Sequence, residues 1–288
     1  FAANFYLLLF SYIGCYYNNN IKVKNLHENE IKVTQKKIKN THTPVNSNNF
    51  IYLERYIMGD KKGNPCSIDQ GYDVCTKRLE QISSASGYVI SKDIKNSEVY
   101  ALTADHWCKR EEYPEEFITM GLVLFNKPFL QNYAFSFEGV ETVDILARDS
   151  ISDICLVKFK TNHVSKYKNM KIAKREPKIG EIVYTQSSPL GIYSKNVRFN
   201  LEGRYSGCTS YFCFFTIPAA PGSSGSSVIN SRGEIVSIIT AVIVDFDTIS
   251  LGPTLEQLQQ FLVLLILLLQ LWMLHLVVQK KNQFSLLN

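Results

Sequence analysis

No stretch of helical periodicity interrupts residues 70–253 of this 288-residue chain. That absence argues against helical bundles and against the strand–helix alternation of parallel α/β folds. Charge of one sign is also lacking where a nucleic acid would need it. Residues 18–50 hold six Lys and two Glu and residues 279–288 hold two Lys, so the ends carry +4 and +2 of a formal +5, which leaves about −1 for the body. A nucleic-acid binder keeps its basic footprint on the folded domain, so no nucleic-acid partner is expected. Histidine is scarce, with five in all, of which His27 and His42 fall in the basic N-terminal region and His275 in an apolar tail. Zinc-type cysteine spacing is missing too. Eight residues separate Cys66 from Cys75 and four separate Cys208 from Cys213, which suits no ribbon or finger. These pairs read instead as short-loop disulfides of an exported protein.

What is present is a succession of short apolar runs rich in β-branched and aromatic residues, separated by Gly, Pro, Asn or Asp. They are SGYVIS, VYALTA, FITMGLVLF, YAFSFEGV, ICLVKF, MKIAK, EIVYTQ, YFCFFTI and GEIVSIITAVIV. Such a pattern predicts an all-β barrel or sandwich. The charged KREPKIG, residues 174–180, is placed to divide two such units.

The ends differ from the body. Phe5–Ile13 is an apolar run of signal-peptide length, and YIGC ending at Cys15 resembles a lipobox, so residues 1–17 are expected to be an export signal with Cys15 as a lipidation candidate. Residues 18–50 read as a polar tether. Near the C-terminus Thr254 and Gln257 form a capping box that opens a helix. Phe261–Val278 is apolar except for Gln270 and His275 and is followed by a basic tail over 279–288. Eighteen helical residues reach roughly 27 Å, near the thickness of a bilayer core, so a membrane span is expected, with a helix packed on the β-domain as the other reading.

PGSSGSS, residues 221–227, is either a flexible spacer or a tight turn displaying a nucleophilic serine. A serine needs a base, and the base needs an orienting group. His106 stands where a strand runs out into polar residues, and His163 lies in a polar loop. Asp153, just ahead of the ICLVKF strand, is the best-placed carboxylate, with Asp144 and Asp149 as rivals.

TADHWC resembles the histidine motif of chymotrypsin-fold serine proteases, and SDICLVKF resembles their aspartate segment. APGSSGSSVINSRGEIVSIIT and IGEIVYTQSSPLG are similar to the nucleophile and Pro-Leu-Gly segments of the HtrA (DegP-like) branch. The order His106, Asp153, Ser224 is that of the family, and four motifs in sequence span about 185 residues. The resemblance implies two six-stranded antiparallel barrels, about 70–173 and about 180–253, within a protease domain over 51–260 and with a C-terminal helix. It implies a serine endopeptidase acting on protein or peptide substrates without metal or cofactor. Catalysis would use Ser224, His106 and Asp153, with the backbone N–H groups of Gly222 and Ser224 as oxyanion donors. Pro218, Ile239, Thr240 and Ala241 would line the P1 pocket, uncharged and suited to small or aliphatic side chains. The 35 residues after Pro253 are too few for the PDZ domain that usually follows. The location expected is the cell envelope or outside it.

Three departures from the family pattern are present. Ser226 and Ser227 stand where Gly, then Pro or a small apolar residue, are usual. Asp105, beside His106, is read as facing water. Cys108 has no cysteine between residues 76 and 107 to pair with. The alternative function is a catalytically silent pseudoprotease that binds proteins through the same groove.

Overall fold

The computed structural model describes residues 45–58, 81–109, 129–243 and 246–267. Fourteen strands dominate: β1 (Phe50–Met58), β2 (Gln81–Asp93), β3 (Glu98–Ala104), β4 (Phe129–Phe135), β5 (Val140–Asp149), β6 (Ile154–Lys160), β7 (Lys171–Ile172), β8 (Ile182–Ser187), β9 (Phe199–Cys208), β10 (Cys213–Phe215), β11 (Ser227–Asn230), β12 (Glu234–Ile238), β13 (Ala241–Ile243) and β14 (Phe246–Gly252). The first six close into an antiparallel barrel in the order β1-β2-β3-β6-β5-β4. The rest form one sheet in the order β13-β14-β10-β9-β8-β11-β12-β7. The all-β, chymotrypsin-like double-barrel expectation holds. The second sheet has eight strands where six were expected, because the short β13 and β7 are added at its two ends, β7 in parallel with β12.

The barrel and the second sheet each bury apolar side chains that alternate along their strands. Ile51, Leu53, Ala85, Val89, Ala101, Val157 and Phe159 fill the first and are at most 2% exposed. Val183, Phe215, Ile217, Val228, Val236 and Ile239 fill the second. A third cluster joins the two: Tyr88, Leu102 and Ile154 from the first barrel meet Ile229, Ile235 and Ile238 from the second sheet. Because Lys171 and Ile172 already pair with Glu234 and Ile235, the chain crosses between the sheets at residues 161–170, ahead of KREPKIG.

The folded body also begins earlier than the expected barrel start at 70. β1 belongs to the closed barrel, and residues 45–50, read as tether, pack onto it. Asn49 is fully buried there. Its Nδ2 donates to Val89 O and Lys168 O, both at 2.6 Å, and its Oδ1 accepts the Lys168 N–H at 3.0 Å.

At the other end a helix, α2 in our numbering, covers 255–267. Its capping box forms as expected: Thr254 N–H donates to Gln257 Oε1 at 2.8 Å and Gln257 N–H to Thr254 Oγ1 at 3.2 Å. Leu258 and Phe261 enter the cluster between the sheets, and Gln259 Nε2 donates to Ala173 O. Val263, Leu264, Ile266 and Leu267 are each at least half exposed. Among the described residues no helix is long and apolar enough to cross a membrane. Phe261, the first residue of the expected span, is buried in protein, and residues 268–278 of that span lie outside the described residues. So do the expected export signal, Cys66 and Cys75, and the FITMGLVLF run.

Asn49→Ala would leave the buried Val89 O without this partner, and the part-buried O and N–H of Lys168 would turn to water; one buried orphan costs of the order of 1 kcal/mol or more. We expect a loss of about 1–2 kcal/mol, read as a lower urea midpoint with an unchanged slope.

Candidate active site

The strand β3 ends in a one-turn helix, α1 (Asp105–Cys108). Trp107 and Cys108 point into the barrel, at 2% and 0% exposure, while His106 faces out. The turn has no side-chain cap of its own, since Ala104 precedes it, so its first N–H groups need acceptors from elsewhere. Asp153 supplies them. Its backbone carbonyl accepts the Asp105 N–H at 3.1 Å, and its Oδ1 accepts the His106 N–H at 2.7 Å. Its other oxygen, Oδ2, lies 2.7 Å from His106 Nδ1. To reach all three, Asp153 adopts a left-handed φ of 53° at the turn from β5 into β6, a conformation few non-glycine residues take. The rivals Asp144 and Asp149 lie within β5. Asp149 Oδ1 accepts the Ile151 N–H of the turn. The other candidate base, His163, stands 3.4 Å from Glu138 at the surface.

Two further ties hold the same turn. A disulfide joins Cys108 to Cys155, the partner that no upstream cysteine could supply. Arg55, fully buried, lays its guanidinium 4.9 Å from the centre of the Trp107 ring and donates to Lys109 O at 2.7 Å. The reading of Asp105 as water-facing is corrected. Its side chain is fully buried, with Arg148 Nε donating to Oδ1 at 2.7 Å and Ser150 Oγ to Oδ2 at 2.7 Å. An inward carboxylate is held there because a cation from the end of β5 and a hydroxyl from the turn after it meet it.

Ser224 is half-buried on the loop before β11. Gly222 and Gly225 on either side take φ of 93° and 87°, which favours glycine. A side chain at Gly225 would also collide with Ser86 O and Thr103, and one at Gly222 would come within 2.9 Å of Gly191 N. The Ser224 loop is therefore pressed against Thr103, three residues before His106. Ser86 of the first barrel fastens it there. Its N–H donates to Ser224 O at 2.8 Å, its Oγ donates to Gly222 O at 2.8 Å, and the same Oγ accepts the Ser188 N–H. From the other side Gly225 N–H donates to Ile239 O and Ile239 N–H to Ser226 O. The N–H groups of Gly222 and Ser224 donate to no acceptor among the described residues.

Ser226 and Ser227 are fully buried behind Ser224, and their hydroxyls have no partner among the described residues. Of the expected pocket residues, Pro218 and Ala241 are exposed and Thr240 is 8% exposed. Ile239 is 1% exposed and packs in the second core, so its side chain supplies no open wall. Cys208 and Cys213 form the expected short-loop disulfide. Sequence reasoning missed Ser86, Ser188 and Arg148. The available signal was the serine that opens the SGYVIS strand, since a hydroxyl buried in a strand needs a partner.

Residues 85–238, just over half of the chain, match the model of the trypsin-like peptidase domain. The solved serine endoprotease from Yersinia pestis is similar, with a TM-score of 0.51 and 16% identity. The match covers 76% of this chain and spans 63% of the length of that one, a likeness of fold. Comparison with curated proteins gives no match.

Arg148→Met would strand the Asp105 carboxylate without its cation, and breaking a buried pair costs more than removing both partners. Arg148 is one-third exposed, so we expect a loss of about 2 kcal/mol. Arg148→Met combined with Asp105→Asn should recover part of it in the same urea titration.

Proposed function

This chain belongs to the trypsin-like peptidase family, and on that premise we propose that it is a serine endopeptidase working through Ser224, His106 and Asp153. The observation that carries this reading is the pair of 2.7 Å hydrogen bonds from His106 to the two oxygens of one Asp153 carboxylate. With Nδ1 protonated and donating to Asp153, the lone pair is left on Nε2, the form a general base requires. Ser224 Oγ attacks the peptide carbonyl as Nε2 takes its proton. The oxyanion is met by the N–H groups of Gly222 and Ser224, which have no acceptor among the described residues. Nε2 then protonates the leaving amine, and water releases the acyl group by the same route. Each oxyanion donor is worth about 10²–10³ in kcat.

Pro218, Thr240 and Ala241 are the proposed P1 contacts, with Ile239 acting through its backbone. None is charged, which favours small or aliphatic P1 residues over Lys or Arg. The setting we propose is the cell envelope or outside it, after export through residues 1–17, with the C-terminal apolar run or a lipidated Cys15 at the membrane. The half-exposed Val263, Leu264, Ile266 and Leu267 support this. Full-length protein should stay with membranes through a carbonate wash, whereas recovery in the supernatant contradicts the anchor.

A fluorophosphonate probe should label wild-type protein, and Ser224→Ala and His106→Ala should not react. Asp153→Asn should slow labelling by about 10⁴, the effect of losing the correct tautomer. A peptide library should give cleavage after aliphatic rather than basic residues. A folded wild type that stays unlabelled would overturn the reading and favour the pseudoprotease.

A further inference from the structure

Away from the active site, the hairpin β9–β10 carries a group of polar atoms that the proposed proteolysis does not use. Cys208 and Cys213 are directly opposed in the strand pairing and joined as a disulfide. The hairpin is already closed by its own ladder and by the Thr209 N–H to Phe212 O bond. A crosslink over so few residues removes little chain entropy from the unfolded state. The contrast is with Cys108–Cys155, which spans 47 residues.

Around the sulfurs, a carboxylate and a phenol converge. One Glu176 oxygen lies 3.2 Å from Cys208 Sγ and the other 3.8 Å from Cys213 Sγ. Tyr205 OH lies 3.0 Å from Cys208 Sγ and donates to Glu176. Glu176 makes no ion pair among the described residues, and a ligand atom from it and one from each cysteine lie within 4.8 Å of one another. A disulfide has no S–H with which to satisfy that carboxylate, whereas two thiols do, and two thiolates with a carboxylate make a ligand set for a borderline-soft divalent cation. Glu176 is exposed and Cys213 buried, so the group opens to solvent on the carboxylate side and is backed by the second core.

We propose that the dithiol form of this hairpin is a zinc site, with Cys208 Sγ, Cys213 Sγ and a Glu176 oxygen as ligands and Tyr205 donating to the carboxylate from behind. A small dithiol reductant passes two electrons and two protons to the disulfide, giving two thiols and the reductant's own disulfide. Zn²⁺ then displaces both thiol protons and leaves a fourth position for water. The site is switched by the redox state of the hairpin, and it stands independently of the proteolytic reading.

The test uses the full-length chain treated briefly with dithiothreitol, desalted without oxygen and titrated with Co²⁺ as a spectroscopic stand-in. Cys108 and Cys155 are fully buried, so the hairpin disulfide reduces before that one, and peptide mapping after alkylation verifies the state of every cysteine. One Co²⁺ per chain should give a thiolate-to-cobalt charge-transfer band, displaced by Zn²⁺ and absent from the untreated protein. Cys208→Ser with Cys213→Ser should abolish the band while keeping the other cysteines as a control. Glu176→Gln should weaken binding by about tenfold or more. The proposal is overturned if the reduced wild type shows no more signal than the double serine variant, or if Glu176→Gln binds as tightly as wild type.

Discussion

Asp153 is the constraint on which the site depends. A four-residue turn too short to be stable alone carries His106, and three acceptor atoms of Asp153 take up the N–H groups of Asp105 and His106 and the imidazole Nδ1. The same residue thus caps the turn and orients the ring, so helix position and ring orientation are set together. The left-handed backbone at Asp153 is a conformational cost, offset by those bonds and by the Cys108–Cys155 bridge two residues further along both segments. Arg148 at the end of β5 and Ser150 in the turn after it hold Asp105. The end of β5 and the β5–β6 turn therefore grip two consecutive residues of the histidine turn.

The second constraint is the seam between the sheets. The Ser224 loop leads into β11 of the second sheet, yet Ser86 of the first barrel holds the carbonyls of Gly222 and Ser224. Those two bonds turn carbonyls toward the first barrel, and among the described residues the N–H groups of Gly222 and Ser224 have no acceptor. Glycine at 225 lets the loop lie flat on Thr103, which leads directly into His106. The shared cluster of Tyr88, Leu102, Ile154, Ile229, Ile235 and Ile238 keeps both halves in register, and α2 adds Leu258 and Phe261 to it.

Much of this was legible in the sequence where one residue type has one physical meaning. Apolar β-branched runs marked β2, β3, β6 and β8, and Thr254 with Gln257 marked the start of α2. β5 and β9 were missed because they alternate exposed and covered residues and read as polar: VETVDILARD has one buried residue, Val143, and FNLEGRYSGC has one, Tyr205. β1 was missed because it follows an Asn-rich stretch whose last residues fold onto the barrel through Asn49. Asp105 was misread because an isolated Asp gives no sign of a guanidinium more than 40 residues away. The partner of Cys108 and the bridging role of Ser86 are likewise products of strand pairing, which local pattern does not reveal.

The measurement that tests the account most directly is the tautomer of His106, read from imidazole nitrogen shifts of ¹⁵N-histidine-labelled full-length protein at neutral pH, assigned by His106→Ala. The account predicts a proton on Nδ1 in wild type and a shift toward the Nε2-protonated form in Asp153→Ala. A wild-type His106 that carries its proton on Nε2, or a tautomer that Asp153→Ala leaves unchanged, would contradict it.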